Sequence, residues 1–137
     1  MRRKLGLALG TIVFLIGSYA TAYADAVEWQ SLSVAATAYN SVPSQTTAAN
    51  PATAAWGDVL KPGMRAIAVS RDLIDKGLTH GTKVRIDGLP GVYTVRDKMA
   101  ARWRNKIDIY MGQNIAKARD WGIRHDIRIR YANNDNS

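Results

Sequence analysis

The chain of 137 residues contains no cysteine and only two histidines, His80 and His125. Without cysteine it can form neither a disulfide bond nor a thiolate metal site, and it cannot be a lipid-anchored lipoprotein. The two histidines lie far apart and do not have the spacing of a metal-binding helix, so no metal site is predicted. No phosphate-cradling glycine motif is present either, and we therefore expect no cofactor.

The first 24 residues have the pattern of a cleavable secretory signal peptide. Three cations at positions 2–4 precede an apolar run at 5–17, and Ala-Tyr-Ala at 22–24 forms a small-residue cleavage site. A spanning helix needs about 20 apolar residues, which makes an uncleaved anchor the less favoured alternative. The pattern predicts an exported protein that begins at Asp25, resides in the periplasm, cell envelope or medium, and has no transmembrane segment after cleavage.

Cleavage would leave 113 residues, which is enough for one domain. The leader contains three cations and no acid, so the formal net charge falls from +8 to +5. A basic exported protein favours an anionic partner, and the compartment makes nucleic acid an unsuitable one. Peptidoglycan, with its stem-peptide carboxylates, is the better candidate; the alternative is that the charge serves solubility alone. The sequence indicates no oligomeric state.

The remaining chain divides into a lead-in at 25–32, one domain at 33–131 and a polar tail at 132–137. Alternating apolar residues and turn signals predict about six short strands, near 33–39, 65–69, 83–87, 91–97, 106–111 and 126–131. Two short helices are expected near 70–77 and 113–121. Many short strands at close spacing indicate a small barrel or sandwich. The polar segment 40–62 is long for a loop, which is typical of functional loops. No internal repeat is visible.

Five short segments occur in a distinctive order: Thr37-Ala38-Tyr39, Ala66-Ile67-Ala68-Val69, Gly81-Thr82-Lys83-Val84, Val95-Arg96-Asp97 and Lys106-Ile107-Asp108-Ile109-Tyr110. Together they resemble the three-aspartate (3D) domain of bacterial cell-wall proteins, over most of residues 33–131. The resemblance implies a mainly β fold, a six-stranded double-psi β-barrel with two short helices, similar to lytic transglycosylase A, rare lipoprotein A and the expansins. It also implies cleavage of peptidoglycan glycan strands.

The resemblance makes Asp108 the catalytic acid/base and Asp97 the second aspartate of the family. Ser70 stands where the first aspartate is expected, and we interpret it as the N-cap of the following helix. The family's glycine-rich stretch after the second aspartate is also missing, because residues 98–103 contain no glycine. These two departures favour the alternative function, a non-catalytic glycan-binding module on the same barrel.

Asp108 lies between two isoleucines on a predicted strand, so its side chain must point to the opposite face. Taken alone, such an aspartate is usually only solvated. A lytic transglycosylase uses the 6-hydroxyl of the sugar as nucleophile, so a single acid/base group can suffice. Repulsion by Asp97 and partial burial would raise the pKa of Asp108 as this role requires. Alternatively, Asp97 pairs with Arg102 or Arg104.

A basic aromatic loop connects the two aspartates. Arg102, Trp103 and Arg104 combine a ring that can stack on a sugar with guanidinium groups that can hold carboxylates, and we predict substrate binding there. The alternative is that Trp103 plugs one end of the barrel. Trp56, in the long loop, is expected to line the same cleft, whereas Trp121 is expected in the core.

Overall fold

The computed structural model describes residues 27–42 and 52–132. The predicted signal peptide, part of the long loop and most of the polar tail lie outside the described residues. The elements are β1 (Trp29–Tyr39), β2 (Ala66–Val69), α1 (Arg71–Asp75), β3 (Lys83–Ile86), β4 (Tyr93–Lys98), β5 (Lys106–Tyr110), α2 (Ile115–Trp121) and β6 (Arg124–Ala132). Within the described part, no helix is both long and apolar enough to cross a membrane.

The six strands close into one barrel in the order β1-β5-β2-β4-β3-β6. β1 pairs in parallel with β5, and β2 pairs in parallel with β4, while the other four pairings are antiparallel. The sequence pattern had left a barrel and a sandwich open. The fold is a closed, mainly β barrel with two helices, so the predicted fold class is confirmed.

The topology contains a twofold repeat. Exchanging β1 with β4, β2 with β5 and β3 with β6 leaves every strand pairing and its direction unchanged. Each half of the domain runs strand, loop, strand, helix, strand. The repeat is not visible in the sequence because only the apolar alternation is shared between the halves. The helices and connecting loops have diverged in length and composition.

The barrel interior is filled by apolar side chains from every strand, with isoleucine and valine predominating. Fully buried examples are Val34, Ile67, Val69, Val84, Val95, Ile107, Ile109 and Ile129. Trp121 closes one side: it is buried, and its indole Nε1 donates a hydrogen bond to the Ala36 carbonyl at 3.2 Å. The predicted core position of Trp121 is confirmed.

The first strand begins four residues before the predicted boundary. Trp29 pairs with Ala132, and the ladder with β6 continues to Val34. Residues 29–32 are therefore strand and not the loose lead-in expected. The apolar pattern missed this stretch because its side chains are largely exposed, so backbone pairing with β6 defines the strand there.

Candidate functional site

The candidate site is centred on Ala68 in β2. Ala68 is the cross-strand partner of Asp97 in β4 and also of Asp108 in β5. All three residues occupy the outer face, because the neighbouring residues of β2 and β5 point into the core. Adjacent strands lie about 4.8 Å apart, so the backbones carrying the two aspartates are separated by about 10 Å. The structure thus brings together the two carboxylates that the sequence singled out.

A β-bulge sets the direction of Asp97. Ile67 pairs with Val95, but the next residue of β2, Ala68, pairs with Asp97, so Arg96 is an extra residue in β4. Without the bulge, Arg96 would stand beside Ala68. Bulges re-aim side chains and are common next to active sites. Here the bulge places a carboxylate on the outer face opposite Asp108.

Asp108 is half-buried, and its side chain is hydrogen-bonded to Thr37. The Thr37 hydroxyl donates to Asp108 Oδ1 at 3.0 Å, across the parallel pair of β1 and β5. Burial raises the pKa of Asp108 above its usual value, and the negative charge of Asp97 raises it further. The hydrogen bond from Thr37 and the nearby Lys106 ammonium act in the opposite direction but do not cancel the effect of burial.

Asp97 is held by the backbone. Its Oδ1 accepts hydrogen bonds from the Ala55 N–H at 2.7 Å and from the Lys98 N–H at 2.9 Å. Burial raises the pKa of Asp97 despite these bonds, and the charge of Asp58 contributes in the same direction. Among the described residues, every ion pair involves Asp58. The alternative that Asp97 pairs with an arginine of the following loop is therefore wrong.

Tyr39 is a site residue that the sequence reasoning missed. Its hydroxyl is buried and interacts with the Asp97 carboxylate, although it makes no hydrogen bond of strict geometry among the described residues. Burial and the charges of Asp97 and Asp108 raise the pKa of this hydroxyl far above its usual value, so it remains neutral. The Tyr39 hydroxyl thus stabilises the ionised form of Asp97 and is a neutral polar group beside the two carboxylates. The available signal was strand alternation, because Thr37 and Tyr39 share one face of β1.

The visible part of the long loop is tied to the barrel beside Asp97. The Asp58 carboxylate accepts a hydrogen bond from His80 Nε2 at 2.9 Å and one from Arg96 at 3.2 Å, and these bonds lower its pKa. The Trp56 ring meets the His80 ring at 5.2 Å, and the Lys98 ammonium lies 5.6 Å from the Trp56 ring centre. These contacts hold the loop so that the Ala55 N–H binds Asp97 and Trp56 lies near Lys98. The bond between His80 and Asp58 was not predicted from the sequence.

Trp103 lies near the start of β5, the strand of Asp108, and its ring contacts two cationic side chains. The Lys106 ammonium is 3.7 Å from the Trp103 ring centre, and the Arg102 guanidinium is 5.0 Å from it. Lys106 precedes Asp108 by two residues on the same strand face. Trp103 belongs to neither buried apolar cluster, so the alternative that it plugs the barrel is wrong. Arg104 instead lies near Asp72, whose pKa is lowered by hydrogen bonds from Ser70 and the Asn105 N–H and, to a smaller extent, by the charge of Arg104.

Ser70 does not have the predicted capping role. It occupies the N-cap position of α1, but its side chain makes no cap hydrogen bond. Its hydroxyl accepts a hydrogen bond from the Lys106 N–H at 3.0 Å, and the residue is fully buried. The hydroxyl therefore binds the start of β5 rather than a backbone N–H of the helix, and it also lowers the pKa of Asp72 in the first turn of α1.

A separate cavity of 570 Å³ lies further along β5 and does not include either aspartate. It is lined by residues that include Tyr110, Met111, Arg65 and Lys117. No group of three or more histidine, aspartate or glutamate side chains is placed to hold a metal ion within residues 27–42 and 52–132.

The fold and the site define a small double-psi β-barrel protein with two half-buried carboxylates on its outer face. Among solved structures, the chain is similar to the Streptomyces papain inhibitor, with a TM-score of 0.52 and 19% sequence identity over 74% of this chain and 94% of that chain. At this identity the likeness concerns the fold. Comparisons with models of protein families and with curated proteins find no match.

Proposed function

We propose that this protein is an exported peptidoglycan-active enzyme that cleaves glycan strands by a lytic-transglycosylase-type reaction. The observation that carries the proposal is the pairing of Asp97 and Asp108 on either side of Ala68, both with raised pKa. A folded protein gains no stability from half-buried carboxylates whose ionisation is disfavoured. Such groups are instead typical of sites where a proton is transferred.

In the proposed reaction, protonated Asp108 gives its proton to the glycosidic oxygen as the bond from that oxygen to C1 breaks. The 6-hydroxyl of the same sugar attacks C1, forms the 1,6-anhydro ring and returns its proton to the Asp108 carboxylate. No water is consumed, and the acid is regenerated. The intramolecular attack is favoured by proximity, so a second catalytic carboxylate is not required.

The surroundings of Asp108 fit this role. Thr37 fixes the carboxyl orientation from one side, and Asp97 opposes the loss of the Asp108 proton from the other. The Trp56 ring lies near the ammonium of Lys98, the residue after Asp97, and the Trp103 ring lies near the ammonium of Lys106 on the strand of Asp108. Aromatic rings stack on sugar faces, and the cations suit the carboxylates of stem peptides.

The second candidate function is a glycan-binding module without catalysis. The burial of Ser70 favours it, because the position of the family's first aspartate carries no charge and is shielded from any substrate. The aromatic and basic residues flanking the site would serve binding equally well.

Product analysis separates the two functions. Mature protein incubated with purified sacculi should release muropeptides with 1,6-anhydro ends, detected by mass spectrometry. Reducing ends in their place would indicate a hydrolase. Binding to sacculi without release of any muropeptide would contradict the enzyme proposal and support the binding module.

A further inference from the structure

Two arginines face each other on the side of the barrel opposite Ala68. In the ring of strands, the β3–β6 pair lies across from β2 and β5, and its register places Arg85 directly opposite Arg130. Directly opposed residues of an antiparallel pair have Cβ atoms about 5 Å apart, where like charges repel and destabilise the sheet. Neither arginine has a carboxylate within ion-pair distance in the described part of the chain.

A cavity of 340 Å³ opens between these arginines. Its other lining residues are Ile86, Leu89, Gly91 and Val92, so the lining contains no acid, and the partly exposed Leu89 and Val92 form a small apolar wall beside the two arginines. The Arg85 guanidinium lies 4.9 Å from the Trp29 ring centre, which holds it in place through a cation–π contact. The cavity falls within the range of about 300–1,000 Å³ found for small-molecule sites.

We propose that this cavity binds a phosphate ester, with the phosphate held between Arg85 and Arg130 and the organic part against the apolar wall. Two unpaired guanidinium groups at adjacent positions match the geometry of a phosphate, which arginine binds in a bidentate manner. Binding would also remove the repulsion between the two arginines. A free phosphate ester and a phospholipid headgroup share this chemistry. The cavity lies across the barrel from Ala68 and Asp108, and its lining includes neither aspartate, so the proposal is independent of the proposed catalysis.

Titration calorimetry and thermal unfolding with glycerol 3-phosphate test the proposal, with sodium chloride at equal ionic strength as the reference. Wild type should bind saturably, and its melting temperature should rise with ligand concentration. Arg85→Gln and Arg130→Gln should each weaken binding at least tenfold. Arg130→Gln should not melt below wild type without ligand, because it relieves the repulsion and leaves the contact between Arg85 and Trp29 in place. Arg119→Gln removes the same charge from a position outside this cavity and should bind like wild type.

Co-sedimentation with vesicles identifies the source of the phosphate. Binding to phosphatidylglycerol vesicles but not to phosphatidylcholine vesicles, lost in both arginine variants, would assign a lipid headgroup. Binding of glycerol 3-phosphate alone would assign a free ester. The proposal is overturned if neither probe binds saturably, or if Arg119→Gln weakens binding as much as Arg85→Gln does.

Discussion

The Thr37 hydroxyl donates a hydrogen bond to Asp108 Oδ1 at 3.0 Å. Burial raises the pKa of Asp108, and this hydrogen bond acts in the opposite direction. Thr37 thus limits how far the pKa of Asp108 rises. The two residues are 71 positions apart in the chain and meet only because β1 and β5 pair in parallel.

Replacing Thr37 with valine should therefore raise the pKa of Asp108. Valine has nearly the same shape and cannot donate a hydrogen bond, so the carboxylate loses a stabilising partner. If protonated Asp108 is the acid, the alkaline limb of the pH–activity profile should move to higher pH, whereas Thr37→Ser should keep the wild-type profile. An unchanged profile in Thr37→Val would show that Asp108 does not control that limb.

The stability of the protein should report the burial of Asp108. Because its pKa is raised on folding, the folded state binds this proton more tightly than the unfolded state, where the pKa is about 3.9. Stability should accordingly fall as pH rises from about 4 through the folded-state pKa, and level off above it. Asp108→Asn removes that loss, so it should melt at or above the wild-type temperature at pH 7.

Thermal melts from pH 3.5 to 7.5 measure this effect, with Asp75→Asn as a control for the loss of one negative charge at an exposed position of α1. A melting temperature for Asp108→Asn several degrees below that of wild type at pH 7 would mean that the carboxylate stabilises the fold.

Trp103 and Trp121 should respond differently to truncation. Trp121 is buried in the core, so Trp121→Ala should cost about 3–5 kcal/mol of unfolding free energy. Trp103 is half-buried between Lys106 and Arg102 outside the core, so Trp103→Ala should cost far less while weakening sacculus pull-down. Urea melts and pull-down assays on the two variants check this. A stability loss for Trp103→Ala as large as that for Trp121→Ala would refute its binding role.

Restoring the family's first aspartate should not help this protein. Ser70 is fully buried, and its hydroxyl serves the Lys106 N–H, so Ser70→Asp would place a carboxylate where water cannot reach it. We expect a loss of at least about 1 kcal/mol in unfolding free energy and no gain in activity. Ser70→Ala, which loses the hydrogen bond with the Lys106 N–H and the interaction with Asp72, should cost about 1 kcal/mol or more. Higher activity in Ser70→Asp would show that the position reaches the substrate.

Alternation along the chain predicted part of the site. Asp108 between Ile107 and Ile109 had to face outward, and it does. The placement of Asp97 depends on the bulge at Arg96, which no local pattern indicates, since Asp97 follows Val95 with the ordinary spacing of a strand. Only the register against Ala68 reveals that the two carboxylates share a face.

The loop contacts were beyond sequence reasoning for a different reason. Asp58 and His80 are 22 residues apart and meet because the loop folds back over β4, where Arg96 also reaches Asp58. Ser70 shows the limit of local rules. Serine before a helix is a common N-cap, but here the Ser70 hydroxyl accepts a hydrogen bond from the distant Lys106 N–H and makes no cap bond. Partners distant in the sequence decided both cases: side chains for Asp58, and a backbone N–H for Ser70.

The release of 1,6-anhydro muropeptides by wild type and by Asp108→Asn tests the central claim most directly. Asparagine can still accept the hydrogen bond from Thr37, so the barrel should fold, but it has no proton to give. Release should fall by at least ~100-fold in Asp108→Asn, and Asp75→Asn should match wild type. Equal release by wild type and Asp108→Asn would contradict the assignment of Asp108 as the acid/base.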